Sequence, residues 1–281
     1  MPAPDKWRII VSMSGAESPS IPLVDDDVDP ASLAAAFEGG FPLEFCASGS
    51  FDPDFVAGLV REGFIPMAMD LEDGREYLLP KLHLVRASLD PKAVRVTRTA
   101  RREARGLTLS TMRAFDEVLS ACVASHGEGW LRPPLVATFR ELASRGIVDG
   151  FGLVSFELWR DEGLVAGEFG ALVGACYTSW SGFRKGNGVG TVQLVALARA
   201  LSRAGVRLWD LGMPLPYKAR LGAREMSRSE FLAAFRSVRE LSATSDPLAG
   251  PVPSPPLDFG FLPEDARLLI DSIGLGDKGR H

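Results

Sequence analysis

Residues 151–211 read FGLVSFELWRDEGLVAGEFGALVGACYTSWSGFRKGNGVGTVQLVALARALSRAGVRLWDL. Three apolar runs, 151–159, 164–173 and 175–180, carry the β-branched and aromatic residues that suit a pleated surface. Asp161-Glu162-Gly163, between the first two, has the composition of a hairpin turn. These runs predict an antiparallel meander. A glycine-rich loop over 184–191 follows, then a helix over about 192–204 that Gly205 stops. Residues 206–211 predict a buried strand. A helix crossing from a meander to a further strand implies that the last strand pairs in parallel. The predicted class is α+β, with a mixed, mainly antiparallel sheet.

Upstream, 110–124 predicts a helix, because Met112, Phe115, Val118, Leu119 and Cys122 share one face at helical spacing. Pro133-Pro134 opens another helix that ends at Gly146. The alternating AVRVTR of 93–98 predicts a strand. Asp29-Pro30 and Asp52-Pro53 each combine an N-cap with a first-turn proline, and a glycine, Gly40 or Gly63, follows each aspartate by eleven positions. Two short helical units result. A strand is expected within 7–13. Downstream, 229–241 predicts a helix, 242–262 a Pro/Ser/Gly-rich linker, and 263–273 a small terminal helix. The expected organisation is an N-terminal domain over 1–106, a transferase-like core over 107–241, and a linker with terminal helix over 242–281.

The chain has 281 residues and a net charge of −5, with 46% hydrophobic and 24% charged residues. That composition excludes a disordered chain, a collagen or a disulfide scaffold. No run approaches the ~18 apolar residues of a membrane helix, and MPAPDKWRII has no signal-peptide core. Cys46, Cys122 and Cys176 are odd in number and far apart, without zinc-ligand spacing. The expectation is a cytoplasmic protein with reduced thiols, no metal and no membrane partner.

Charge is unevenly spread. Lys81, Arg86, Lys92, Arg95, Arg98, Arg101, Arg102 and Arg105 are opposed only by Asp90 and Glu103. Such a run is either a solvated face or a surface that tracks phosphates. The loop Arg184-Lys185-Gly186-Asn187-Gly188-Val189-Gly190-Thr191 lies between a strand and a helix. There, backbone N–H groups and a helix N-terminus form an anion cradle, unless the loop is a plain flexible turn. Its Lys-x-x-Gly-x-Gly spacing resembles the pyrophosphate loop of GNAT-type acyltransferases. Two acids sit in apolar strands, Asp210 and Glu168, and each requires a partner, solvent or a function. Arg184 or Lys185 is the partner expected for Glu168. His83, His126 and His281 show no triad arrangement, which disfavours covalent catalysis.

With these residues in place, 49–236 resembles the leucyl/phenylalanyl-tRNA–protein transferase family. Gly49-Ser50-Phe51 through Gly63-Phe64-Ile65-Pro66-Met67 is similar to its N-terminal block. Ala114-Phe115 with Val118 and Cys122 matches its Ala-Phe…Val…Cys helix, and Gly129-Trp130-Leu131 its Thr-Trp-Ile. Ser155-Phe156-Glu157-Leu158-Trp159, Leu164-Val165-Ala166-Gly167 with Phe169-Gly170, and Trp209-Asp210 followed by Leu221-Gly222-Ala223 continue the series in order. The resemblance implies a small N-terminal domain joined to a GNAT-like core. The implied activity moves an amino acid from aminoacyl-tRNA to the N-terminal amine of an acceptor protein or peptide, with no cofactor.

What the resemblance implies for the site is specific. Asp210 matches the family's catalytic aspartate. Trp130, Glu168, Tyr177, Trp180, Ser181 and Gly212 fall at substrate-binding positions, with Tyr217 or Ser181 available to orient the amine. Arg184, Lys185, Gly186, Gly188 and Gly190 form a phosphate, adenosine or CoA loop, and Arg95, Arg98, Arg101, Arg102 and Arg105 face the tRNA acceptor stem. The chain also departs from the family. Gly212 stands for its glutamine, Trp180-Ser181 for its Glu-Ser, Glu168 for an apolar wall residue and Met67 for a tryptophan. Glu168 and Trp180 in one pocket imply a polar or cationic aminoacyl preference. Two alternatives stand beside this: an acyl-CoA-dependent N-acyltransferase using the 184–191 loop, and a non-catalytic protein that binds tRNA or N-termini.

Overall fold

The meander fixes everything around it. In the computed structural model, which describes residues 7–10, 21–25, 27–71, 73–94, 100, 103–127 and 129–241, β7 (Phe151–Arg160), β8 (Gly163–Val173) and β9 (Cys176–Arg184) pair antiparallel. Asp161 takes a positive φ of 51° to close the first hairpin. Helix α5 (Val189–Arg203) then crosses to β10 (Leu208–Asp210), which lies parallel to β9. The meander, the crossing helix and the parallel strand are all as expected. The helix begins at Val189, three residues before the predicted start, because Gly188 adopts a left-handed φ of 81° at its N-cap and Val189 is already buried.

The sheet has seven strands in the order β11-β5-β10-β9-β8-β7-β6. Three were not predicted. Strand β5 (Val85–Leu89) lies inside the basic run and pairs with β10 and with β11 (Arg224–Ser227); β6 (Leu107–Thr111) pairs with β7. Strand β5, drawn from the segment before residue 106, therefore sits within the main sheet. The strand expected over 93–98 is not formed at Ala93, which ends a 3-10 turn over Pro91–Ala93 capped by Asp90; residues 95–98 lie outside the described residues.

Two helices open on the expected aspartate caps. Asp29 caps α1 (Pro30–Glu38) and Asp52 caps α2 (Pro53–Arg61), each through its carboxylate and with proline in the first turn. Helix α3 spans Phe115–His126 and α4 spans Pro133–Ser144. The predicted start of α3 at Ser110 is corrected, because Ser110 and Thr111 pair with Glu157 and Phe156 and Met112 turns the chain at a φ of 54°. The short α6 (Pro216–Leu221) and α7 (Arg228–Arg239) complete the described residues, α7 with a capping box between Ser227 and Glu230.

Residues of β7 are buried on both faces, because helices cover both. Leu153 and Trp159 enter a core shared with α3, α4 and α7, whereas Val154, Phe156 and Leu158 enter a core shared with α5. A two-stranded sheet of β3 (Ile65–Asp70) and β4 (Glu76–Lys81) and another of β1 (Trp7–Ile10) and β2 (Ile21–Val24) stand apart. Residues 242–281, with the expected linker and terminal helix, lie outside the described residues.

Candidate active site

The site grows from one break in the sheet. Strand β10 pairs only with Cys176, Tyr177 and Thr178 of β9, whereas β8 follows β9 as far as Arg184. Beyond Thr178 the two parallel strands part. Between Phe169 and Gly170 the β8–β9 register also shifts, so Trp180 is an extra residue in β9. Gly170 lies where a Cβ atom would stand 2.0 Å from the Thr178 carbonyl oxygen, so no side chain fits there.

Pleating separates the predicted site residues into two groups. Phe169 packs among Phe115, Trp130, Phe139 and Trp180, with the Trp130 ring nearly parallel to it at 6.4 Å and the Trp180 ring 4.9 Å from Phe139. Ser181 lies opposite Phe169 in the register and meets Cys122 of α3. Glu168, the neighbour of Phe169 in β8, belongs to the opposite face. There its Oε1 accepts hydrogen bonds from Ser179 Oγ at 2.6 Å and Tyr177 OH at 3.2 Å, and Trp209 Nε1 donates to Ser179 Oγ at 2.9 Å. Glu168 and Trp180 therefore do not share a pocket.

The partner expected for Glu168 is also corrected. Hydroxyls of Tyr177 and Ser179 hold it, and neither Arg184 nor Lys185 does so among the described contacts. Both basic residues are exposed beside the loop, and the Arg184 stem lies across Gly190, where a Cβ would stand 3.0 Å from its Cδ. Burial pushes the Glu168 carboxyl up to about 7, while its two hydroxyl donors and the charge of Lys218 pull the other way. Tyr177 is raised by burial and by the Glu168 charge, so its phenol stays protonated and donates.

Asp210 is placed differently. Its side chain and that of Arg86 are both 0% exposed, and Arg86 Nη1 donates to its Oδ2. Oδ1 accepts from the Gly212 N–H at 2.8 Å. Arg86 Nη2 donates to the Gly63 carbonyl at 2.7 Å, and its guanidinium stacks 4.2 Å from the Phe231 ring. The expected proton acceptor is thus engaged at both oxygens and closed to solvent. Gly212, with φ at 69°, turns the chain into an apolar lip of Met213, Leu215 and Tyr217, all exposed. Lys218 is buried behind that lip and donates to the Leu211 and Met213 carbonyls at 2.5 and 2.7 Å.

The basic run divides in the same manner. Arg86 is in the core and Lys81 pairs with Glu44 at 3.3 Å, so neither belongs to an open phosphate surface. Arg105 is exposed on the turn before β6, as is Lys92 after β5. Arg95, Arg98, Arg101 and Arg102 lie outside the described residues. Glu103 packs against Gly188 of the glycine loop. Three side chains that shape the site had no such place assigned from sequence: Ser179, Lys218 and Arg86, the last counted only in the basic run. A cation inside the apolar strand VRASL was the one signal available for Arg86.

A family model for leucyl/phenylalanyl-tRNA protein transferase matches residues 88–236, a span that runs from β5 through the meander, the parting strands and most of α7. The chain belongs to the leucyl/phenylalanyl-tRNA–protein transferase family. A transferase of that name from Pseudomonas aeruginosa is 29% identical over 233 residues, covering 79% of this chain and 95% of that protein. Another, from Thiobacillus denitrificans, is 36% identical over 154 residues, covering 53% of this chain and 65% of that protein. Among solved structures, FemX aligns at 11% identity over 79% of this chain and 86% of its own, with a TM-score of 0.41. The helix-crossed parallel pair of β9 and β10 lies inside the matched span. Among the described residues no helix is long and apolar enough to cross a membrane, and no cluster of ligands suits a metal ion.

Proposed function

We propose that this chain transfers an aminoacyl group from a charged tRNA to the α-amine of an acceptor protein or peptide. The observation that carries the reading is the family match over 88–236, because that span contains each strand that builds the parted site. An aminoacyl ester is already reactive toward a neutral amine, so the protein's main contribution is to hold ester and amine together. Parted strands and the exposed backbone of Gly182, which carries no side chain, supply such a holding surface.

Donor binding falls to the basic surface around the glycine loop. Lys92, Arg105, Arg184 and Lys185 are exposed, and Glu103 packs against Gly188 of the loop. The tRNA acceptor end enters along this surface, where each phosphate contact releases counterions. Asp210, held by Arg86, fixes Gly212 and the lip that follows. Three buried, reduced cysteines suit a cytoplasmic setting.

The test offers the full chain a panel of charged tRNAs, or acyl-CoA donors, together with a library of peptides with free N-termini. Mass spectrometry should find peptides heavier by one aminoacyl residue in the tRNA arm. Product from acyl-CoA alone would replace this proposal with the acyl-CoA reading.

A further inference from the structure

Two carboxylates lie near the parted strands, and they differ in what they are free to do. Asp210 spends both oxygens, one on Arg86 and one on Gly212. Glu168 receives both of its hydrogen bonds on Oε1, which leaves Oε2 without one among the described residues. Glu168 is 6% exposed, yet its register partner is Gly182, which is exposed and presents no side chain over it; a Cβ on Gly182 would stand 3.0 Å from Glu168 Cβ. Gly170, two residues along β8, is buried against the Thr178 carbonyl oxygen and the Tyr177 hydroxyl, whereas Ser179 is only half-buried. An acceptor oxygen thus lies beneath a gap in the side-chain cover, beside the place where β9 and β10 part.

We propose that Glu168, fixed by Ser179 and Tyr177 beneath the bare backbone of Gly182, is the catalytic residue that takes the proton from the attacking α-amine. This rests on the aminoacyl-transfer reading. The lone pair of the neutral amine attacks the ester carbonyl carbon, and the new N–C bond forms. The excess N–H proton passes to the Glu168 carboxylate. The ester C–O bond breaks, the ribose oxygen leaves with that proton, and Glu168 returns to its ionised form. The products are an amide and a free ribose hydroxyl, with no other reactant consumed.

The surroundings suit that cycle. A base works best when its proton affinity lies near the working pH, and burial pushes Glu168 up to about 7. Its charged and titratable neighbours come from three elements. Tyr177 of β9 donates to it, and Lys218 of α6 lowers its proton affinity. Tyr217 of α6 and Cys122 of α3 are both raised by partial or full desolvation and by its charge, so both stay protonated. The Trp209–Ser179–Glu168 chain of hydrogen bonds fixes one oxygen and leaves the other to the substrate.

The experiment measures the rate of peptide aminoacylation against pH with the full chain, leucyl-tRNA or whichever charged tRNA the donor panel selects, and one peptide with a free N-terminus. An α-amine loses its proton at about 7.7–8.0. Two groups must therefore be deprotonated in the parent, and log rate should rise below pH 6.5 with a slope near two. Glu168→Gln keeps the side-chain shape. It should cut the rate by roughly 100-fold or more, the scale of a lost general base, and reduce the slope to one, with tRNA binding unchanged. Ser179→Ala, which removes a donor to the carboxylate, should move the lower limb to higher pH without abolishing transfer. A Glu168→Gln enzyme with the parental rate and slope, or an Ser179→Ala limb that does not move, would overturn the proposal. A parent that transfers from no charged tRNA overturns the underlying reading itself.

Discussion

At the scale of single residues, the pair Arg86–Asp210 and the lone Glu168 show how burial decides the part a charge plays. Breaking a fully buried pair strands one charge, at a cost of about 3–5 kcal/mol, whereas replacing both partners by apolar residues is often near neutral. Arg86→Met should therefore lower the unfolding free energy by about that amount in urea denaturation, and Arg86→Met with Asp210→Leu should recover most of it. Equal losses in the single and double variants would contradict the pairing. Glu168 makes the opposite prediction for pH. Its carboxyl is raised to about 7 from an ordinary 4.5, so the unfolded chain releases its proton first as pH climbs. Between those values the unfolded state holds fewer protons than the folded state, and this group's contribution to stability falls by roughly 3 kcal/mol across the window. Glu168→Gln should remove that part of the slope between pH 5 and pH 8; a stability difference from the parent that is the same at both would sink the idea. The sequence shows that Asp210 and Glu168 need an explanation, because both interrupt apolar strands. It does not show their partners: Arg86 lies 124 positions from Asp210, and the hydroxyls beside Glu168, only 9 and 11 positions away on the adjacent strand, face it by virtue of a register that shifts between Phe169 and Gly170. The expected cationic preference assumed that Glu168 and Trp180 meet in one pocket, and the pleat removes that premise.

At the scale of elements, the site depends on how closely β8 and β9 approach. Gly170→Ala would set a Cβ 2.0 Å from the Thr178 carbonyl oxygen, which is backbone and cannot swing aside. Thermal unfolding should register a loss of about 3 kcal/mol, at the upper end of overpacking costs. Gly129→Ala, with no atom within 4 Å of its Cβ, should stay within about 0.5 kcal/mol of the parent. Similar effects from the two would mean that the Gly170 contact does not constrain the strands. The meander, α5 and β10 were legible because each carries its own period and its own stop signal. Strands β3 and β4 were not, because Pro66 and Pro80, which face each other in their pairing, read as breakers. Strand β5 was hidden because its burial comes from β10 and β11, more than a hundred positions downstream, and a local window sees only the charge of Arg86.

At the scale of the whole molecule, an acidic chain presents a basic rim beside its glycine loop. Net charge is −5, yet Lys92, Arg105, Arg184 and Lys185 are exposed on that side. Reversing Arg105 and Lys185 to glutamate should weaken tRNA binding at all salt concentrations and flatten the plot of log affinity against log salt by roughly one to two units. An unchanged slope would place the tRNA elsewhere. In the proposed reading, the parted strands and the basic rim serve one transfer of an aminoacyl group from ester to amide. The most direct measurement quantifies both products in one quenched reaction of the full chain with charged tRNA and a free-amine peptide. Aminoacylated peptide and newly uncharged tRNA should appear one for one, with no product when the peptide's N-terminus is acetylated. Peptide that stays unmodified with every charged tRNA, or is modified only by acyl-CoA, contradicts it.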